Sequence, residues 1–277
     1  MDVEAYEEDI QLDFGVRRGA QAPGDFIAQN PCLRIEEFMA GREREVARKS
    51  LEYHVRQGHL VVVRRGTYLW KSMALRPDPF ILASRVARGA VISHASALWW
   101  HELLPQQETM VVTTRTPIPP LSFAGTTYRT VPPPPALRDA DILFTGGVRR
   151  EERLGVSIDV CTPERAFVDC LHRLDVSPDL EALWQAFNVN FDPPDGAEMV
   201  RYAVKLGNRV TCARVGLFIQ YRRRMFTREP QLHLLRERMP AAPALADPRY
   251  PRYLCQYLPE WRLLLPSGFH RVLFPNG

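Results

Sequence analysis

The chain has 277 residues, 45% of them hydrophobic, so it can bury a sizeable core and exceeds the usual size of one domain. Its net charge of +4 is only mildly basic, which excludes a polyelectrolyte chain and is compatible with a nucleic-acid partner. Met1 to Asp13 carries six acidic residues and no basic one, unlike a signal peptide, and no stretch approaches the roughly 18 apolar residues of a membrane span. We expect a globular cytoplasmic protein with no membrane partner.

The sequence shows no pattern typical of a cofactor or metal site. The five cysteines include no C-x-x-C pair, so they predict neither a disulfide framework nor a zinc ribbon, and most are expected to be small buried residues. Gly146 and Gly147 lead into Val-Arg-Arg, without the Lys-Ser/Thr of a Walker loop. We expect no cofactor and no bound metal.

The N-terminal part of the chain predicts a winged helix-turn-helix at residues 25–76. Residues 1–24, acidic and then rich in glycine, are expected to form a flexible arm. Two β-rich runs from His59 to Trp70, joined at Arg65 and Gly66, predict a tight hairpin. The helices that precede the hairpin are expected at about 25–30, 35–39 and 42–57.

The 42–57 helix has one apolar side and one basic side. Ala47, Leu51 and Val55 recur every four residues and, with Val46, are expected to face the core. A charged helix face is often merely solvated, but a basic helix followed by an Arg-Arg-Gly hairpin favours DNA contact. Residues 42–76 hold nine Arg or Lys against three Glu. The expected DNA-binding residues are Arg42, Arg44, Arg48, Lys49, Tyr53, Arg56, Arg64 and Arg65.

Residues 77–277 predict a larger mixed α/β domain, so the whole chain is expected to be α/β (α+β). The most specific local feature is Thr162-Pro-Glu, in which Thr162 caps a helix and Pro163 is its first residue. Ser93 is the expected cap of an earlier helix, and the last forty residues are expected to be loops with short elements whose positions the sequence does not give. Helices are predicted at 80–88, 93–104, 163–172, 178–189, 195–206 and 209–223, and strands at 109–114, 126–130 and 156–160.

Three segments in this order resemble the AbiEi family of antitoxins. They are Val55-Arg-Gln-Gly-His-Leu-Val-Val-Val-Arg-Arg-Gly-Thr-Tyr68, Ile92-Ser-His-Ala-Ser-Ala-Leu98 and Thr162-Pro-Glu-Arg-Ala-Phe-Val-Asp169. The resemblance covers about residues 25–225 and implies a type IV toxin-antitoxin system. It implies a repressor of its own operon that neutralises an AbiEii-like nucleotidyltransferase toxin. The acidic arm and the Pro-rich C-terminus depart from the family pattern.

The possible catalytic groups lack the partners that catalysis needs. Ser93, His94, Ser96 and His101 lie in no G-x-S-x-G or H-E-x-x-H pattern, and a histidine beside tryptophans is most often packed or capping. Asp159, Glu164 and Asp169 lack the lysine expected of a nuclease metal site. Arg165 and Asp169, four residues apart, predict an ion pair. We expect no catalytic site.

A second basic cluster lies between Tyr221 and Arg228. Its four arginines could form a solvated helix end, an auxiliary phosphate contact or a docking patch for an acidic partner. The sequence does not choose between these alternatives. The cluster consists of Arg222, Arg223, Arg224 and Arg228.

The sequence as a whole predicts a steric repressor that binds promoter DNA. Two copies on an inverted repeat would insert the 42–57 helix into successive major grooves about 34 Å apart. Phosphate contacts by Arg64, Arg65 and Lys49 would make binding salt dependent. The alternatives are a protein-interaction antitoxin that grips the toxin directly and, less favoured, an enzyme that modifies the toxin.

Overall fold

The computed structural model describes residues 23–40, 42–137, 146–190, 194–222 and 231–274. Most of the predicted arm, residues 1–22, lies outside these ranges. The chain forms two compact units, Met1–Val86 and Ala87–Gly277. The first unit therefore continues past residue 76, where the sequence predicts its domain to end. Both helices and sheets are present, which confirms the α/β class.

The first unit combines short helices with a three-stranded antiparallel sheet. Strand β3 is central and pairs with both β1 and β2. The helices predicted at 25–30, 35–39 and 42–57 are present within two residues of their expected ends, and β1 is a strand that the sequence analysis missed. The elements are α1 Pro23–Gln29, β1 Cys32–Arg34, α2 Ile35–Phe38, α3 Arg44–Arg56, β2 Leu60–Arg64, β3 Thr67–Trp70, α4 Lys71–Ala74 and α5 Pro79–Arg85.

The core of the first unit forms between α3 and the sheet. Leu51 and Ala47 from α3 pack with Leu33, Phe38 and Leu60, all nearly inaccessible to solvent. Removal of these side chains from water is the main stabilising contribution to so small a unit.

Helix α5 belongs to the first unit because its contacts lie there. Asp78 caps it by accepting hydrogen bonds from the amides of Phe80 and Ile81, both at 3.0 Å, and Pro79 is its first residue. Arg85, near its end, forms an ion pair of 3.2 Å with Glu37 of the short helix α2. The helix thus ends at Arg85, three residues before the predicted end.

The second unit is built on a six-stranded mixed sheet with the order β6-β7-β5-β4-β9-β8. The β5–β7 and β4–β9 pairs are parallel, and the other three pairs are antiparallel. Its first elements are β4 Val91–Ile92, α6 His94–Trp100, β5 Thr109–Thr113, β6 Leu121–Phe123, β7 Thr126–Val131, β8 Val148–Arg153, β9 Val156–Cys161 and α7 Pro163–His172. They are followed by α8 Leu180–Gln185, α9 Gly196–Leu206, α10 Arg209–Tyr221, α11 Leu232–Arg236, β10 Ala244–Leu245, β11 Cys255–Leu258, β12 Leu263–Pro266 and α12 Ser267–Leu273.

Two predicted helix caps have different outcomes. The hydroxyl oxygen of Thr162 accepts a hydrogen bond from the amide of Arg165 at 3.5 Å, and α7 spans the predicted residues 163–172, so this junction is confirmed. Ser93 precedes α6 but its side chain caps no amide, because it forms a 2.8 Å hydrogen bond with His94 Nδ1 instead. The side-chain cap predicted for Ser93 was therefore wrong.

The C-terminal region contains short elements, as the sequence predicts, and the structure gives their positions. Strands β10, β12 and β11 form a small sheet, and at two to four residues each they are too short to be placed from periodicity. Buried Arg214 of α10 anchors this region by donating hydrogen bonds of 2.7 Å to the carbonyls of Ala246 and Leu171.

Two further sequence expectations concern cysteines and the membrane. All five cysteines are free thiols, and Cys32, Cys161, Cys170 and Cys212 are buried, as expected of small core residues. Within the described ranges, no helix combines the length and apolar character needed to cross a bilayer.

Gly216 packs directly against Trp261 in the second unit, and this contact leads to a prediction about stability. A Cβ added to Gly216 of α10 would lie 2.1 Å from Trp261, whose ring is fully buried. We expect Gly216→Ala to lower the free energy of unfolding by about 1–3 kcal/mol, since a packed core accommodates an added methyl group poorly. Thermal denaturation followed by circular dichroism measures the change.

Gly24→Ala is the matched control for that substitution. Gly24 also lies in a helix, and no atom comes within 4 Å of an added Cβ. We expect its effect to stay within about 0.5 kcal/mol. Equal melting temperatures for Gly216→Ala and the wild type would contradict the packing argument.

Candidate nucleic-acid interface

Helix α3 presents a basic row to solvent. Ala47, Ser50, Leu51 and His54 face the core at helical spacing, which leaves the opposite side exposed. Arg44, Arg48 and Arg56 are exposed along a row of residues spaced by multiples of four, and Lys49 is exposed beside them. Lys49 and Arg56 lie opposite the core, whereas Arg44, seven residues before the buried Leu51, is the first residue of the helix. Four of the eight predicted DNA-binding residues are thus brought together on one exposed helix surface.

Acidic residues on the same helix partly neutralise this surface. Arg48 pairs with Glu52 and Lys49 pairs with Glu45, each at 3.4 Å and each between side chains that are about half exposed or more. Such exposed ion pairs contribute about 0–1 kcal/mol, because water screens them and ordering two long side chains has an entropic cost. A phosphate or a guanine edge can therefore replace the carboxylate as the partner of either cation.

The hairpin that follows α3 turns at Arg65 and Gly66. Gly66 adopts φ +84°, which favours glycine, and its carbonyl accepts a 2.9 Å hydrogen bond from the amide of Ile35. The turn is therefore bound to the start of α2. Arg65 is exposed at this turn. Arg64 instead donates to the carbonyl of Val86 at 3.2 Å, which directs its side chain toward the end of α5.

Two predicted contact residues do not lie fully on the exposed helix surface. Arg42 precedes α3 and is only 9% exposed, with its guanidinium 4.6 Å from the centre of the Phe38 ring and donating to the Phe38 carbonyl at 2.8 Å. We correct its role to packing within the first unit, because its donors and its charge are directed inward. Tyr53 is half-buried, edge-on to the His54 ring.

The second basic cluster is described only at its first member. Arg222 is 7% exposed, and its guanidinium lies 4.7 Å from the centre of the Phe187 ring. This burial rules out the predicted surface contact for Arg222 and indicates a packing role. Arg223, Arg224 and Arg228 lie outside the described residues.

The sequence analysis missed two features of this surface. His54 is buried on α3, with its Nδ1 3.3 Å from Nδ1 of His59, although its position three residues after Leu51 is a core position of the helix. Lys71 is exposed close to Gly58, just beyond the end of α3, where a Cβ on the glycine would lie 3.6 Å from its Nζ. The one sequence feature that could have indicated a role for Lys71 at this surface is its position directly after the hairpin.

Comparison with known proteins gives information about the fold alone. No protein-family model matches the chain, and no curated protein matches it. The crystal structure of the Rv2827c protein from Mycobacterium tuberculosis is similar, with a TM-score of 0.53, 15% sequence identity, and coverage of 90% of this chain and 92% of that one. At this identity the similarity shows a shared α/β fold.

The buried histidine of α3 generates a pH prediction. Burial, and then the proximity of His59, lowers the pKa of His54 below its ordinary value of 6.5. Because the unfolded chain then binds a proton more readily than the folded one, this histidine reduces stability as the pH falls below about 6.5. We expect His54→Gln to lose less thermal stability than the wild type between pH 7.5 and pH 5.5.

Thermal melts of both proteins at the two pH values measure this difference. The buried histidines of the second unit contribute equally to both proteins, so they cancel in the comparison. Identical losses of melting temperature in the two proteins would show that His54 is not responsible.

Proposed function

We propose that this protein is a sequence-specific DNA-binding repressor that reads DNA with helix α3. The observation that carries the proposal is the exposed basic row of Arg44, Arg48 and Arg56 on a helix whose apolar residues are packed in the core. An arginine row on a rigid helix suits the major groove, where a guanidinium can donate two hydrogen bonds to a guanine.

The order of elements in the first unit supports a winged helix-turn-helix. Helix, strand, two helices and a hairpin follow one another, and β1 pairs with the second hairpin strand β3. In this arrangement α3 is the recognition helix. The hairpin is a short wing whose turn is hydrogen bonded to α2. This favours α3 as the main source of contacts with DNA.

The proposed contacts divide into base reading and phosphate binding. Arg48, near the middle of α3, is the candidate for a base edge, while Lys49 and Arg65 are candidates for phosphates. Glu45 and Glu52 neutralise Lys49 and Arg48 in the free protein and would give up these partners to DNA. Binding is then expected to weaken strongly as the salt concentration rises.

The resemblance to AbiEi antitoxins extends the proposal to a biological role. The protein would act in the cytoplasm as a homodimer on an inverted repeat, repressing the operon that encodes it and a nucleotidyltransferase toxin. It would need no catalytic site of its own, since occupation of the promoter is sufficient for repression.

Substitution of Arg48 tests the base-reading role. We expect Arg48→Ala to weaken binding to the DNA upstream of its own gene by about 1–3 kcal/mol, or roughly 5- to 150-fold, with less loss on a scrambled duplex. Fluorescence anisotropy at fixed salt measures both affinities. Glu52→Gln, which removes the ion-pair partner of Arg48, is expected to tighten binding.

Arg201→Ala is the matched control for Arg48→Ala. Arg201 lies in α9 of the second unit, is 58% exposed against 57% for Arg48, and also pairs with a glutamate one helical turn away. Its substitution should leave DNA binding unchanged. If both substitutions weaken binding equally, or if the wild type does not distinguish the two duplexes, the proposal fails.

A specific surface favours direct toxin binding as a second function. Residues 250–257 of the second unit expose Tyr253 to 85% of its full area, together with Tyr250, Leu254 and Tyr257. We call these four residues the tyrosine surface. Exposed aromatic side chains are enriched at protein interfaces, because they bury a large area while losing little side-chain entropy.

The toxin-binding function predicts an effect of Tyr253→Ala. We expect this substitution to reduce co-purification of the toxin at least tenfold while leaving DNA affinity unchanged. Leu154→Ala, which removes a side chain that is 70% exposed at the turn between β8 and β9, is the control. Unchanged recovery of the toxin with Tyr253→Ala would exclude the tyrosine surface as its docking site.

A further inference from the structure

The second unit contains a cavity of about 120 Å³ that the proposed DNA interface does not use. Its volume is sufficient for several waters or one small molecule. Pro132 to Pro135 form one side of it. The polar groups that line it are His94, Thr113, Arg165, Asp169, His172 and Arg173.

Helix α7 supplies three of these groups from one face. Arg165, Asp169 and His172 are separated by four and three residues, so they follow the same side of the helix, and Arg173 is the residue directly after its end. His94 comes from the start of α6 and Thr113 from the end of β5. Three elements distant in sequence therefore direct polar side chains into a single cavity.

The floor of the cavity contains a buried ion pair. The side chains of Arg165 and Asp169 are 2% and 4% exposed, and their Nε and Oδ2 atoms are 3.5 Å apart. Tyr202 donates a 2.7 Å hydrogen bond to Asp169, and Arg165 donates one of 2.7 Å to the carbonyl of Gly146. A buried ion pair is often less stabilising than apolar packing of the same volume, so a role beyond stability is a reasonable explanation for it.

The backbone at His94 is strained. Its φ of +52° lies in the left-handed region, which few non-glycine residues adopt although histidine does so more often than most, and the residue is only 4% exposed. Backbone conformations of this kind are concentrated at binding and catalytic sites. The strained residue is one that lines the cavity.

His94 is hydrogen bonded to the residue that precedes it. Ser93 Oγ accepts a 2.9 Å hydrogen bond from Thr113 and shares a hydrogen bond of 2.8 Å with Nδ1 of His94. Burial lowers the pKa of His94 to about 4, so the ring is neutral at pH 7. The neutral ring carries one N–H donor and one unprotonated nitrogen.

Hydrogen bonds fix the tautomer of His172. Thr211 donates its hydroxyl proton to Asn208 at 3.1 Å, so it must accept the 2.9 Å hydrogen bond from His172 Nδ1. Burial also lowers the pKa of His172, which leaves the ring neutral at pH 7 with an unprotonated Nε2. His172 therefore offers an acceptor, as does Asp169, while the two arginines carry donors.

We propose that this cavity binds a small oxyanion that carries a phosphate group. Arg165 and Arg173 supply two guanidinium groups, paired with Asp169 in the lining and with the exposed Asp175 just outside it, and planar guanidinium groups match phosphate oxygens in pairs. A monohydrogen phosphate accepts hydrogen bonds from these donors and has one P–OH group to donate to His172. The rigid proline wall closes the apolar side of the cavity. This site is independent of the proposed DNA interface.

Titration of the full-length protein with inorganic phosphate tests the proposal. We expect saturable binding with one site per chain by isothermal titration calorimetry, and a rise in melting temperature that saturates with it. Sodium sulfate at equal ionic strength is the comparison, since sulfate has no proton to donate at neutral pH. An equal, unsaturating rise with both salts is a general salt effect and would overturn the proposal.

Arg173→Gln should weaken phosphate binding at least tenfold. Its side chain is 34% exposed, so the substitution leaves the buried ion pair intact. Arg129→Gln is the control, because Arg129 also pairs with Asp175 but does not line the cavity. Equal effects of the two substitutions would show that loss of the Asp175 ion pair, and not loss of a ligand contact, is responsible.

Nuclear magnetic resonance gives a second readout that a purely structural role would not affect. Phosphate should shift the ring nitrogen signals of His172, assigned with His172→Gln, and should leave those of His54 unchanged. If the His172 signals do not move at saturating phosphate, the proposed site is wrong even where calorimetry detects binding elsewhere.

Discussion

Burial of the Arg165 guanidinium is the constraint that organises the second unit. A buried charge is tolerated only when its hydrogen bonds and its counter-charge are supplied together. Asp169 on the next helical turn supplies the charge, the Gly146 carbonyl accepts a hydrogen bond, and the Tyr202 ring lies 5.3 Å from the guanidinium carbon. These partners join α7 to α9 and to the chain entering β8. Gly147 is required there, since a Cβ would lie 3.1 Å from that of Arg165.

The first unit depends on a different constraint, the two-sided character of α3. Leu51 and Ala47 hold the helix to the sheet, which leaves its other side available without loss of packing. The alternation of arginine and glutamate on that side keeps the free surface only weakly charged. Because the surface is only weakly charged, its non-specific attraction to phosphates is limited. A surface of this kind is expected to discriminate between DNA sequences through the geometry of a few contacts.

The two candidate sites differ in their physical character. The basic row is exposed and its size and charge suit a large polyanion, whereas the cavity holds buried polar groups and its volume suits a small ligand. They lie in separate units.

The sequence alone determined features that depend on neighbours along the chain. The basic side of α3 and the Thr162 cap of α7 follow from local spacing, and the ion pair of Arg165 with Asp169 follows from a separation of one helical turn. The inward direction of Arg42, the burial of His54 and the convergence of His94, Thr113 and α7 on one cavity were decided by tertiary structure. These features depend on which apolar and polar groups come into contact after folding. Contacts between residues distant in sequence produce no local periodicity from which they could be predicted.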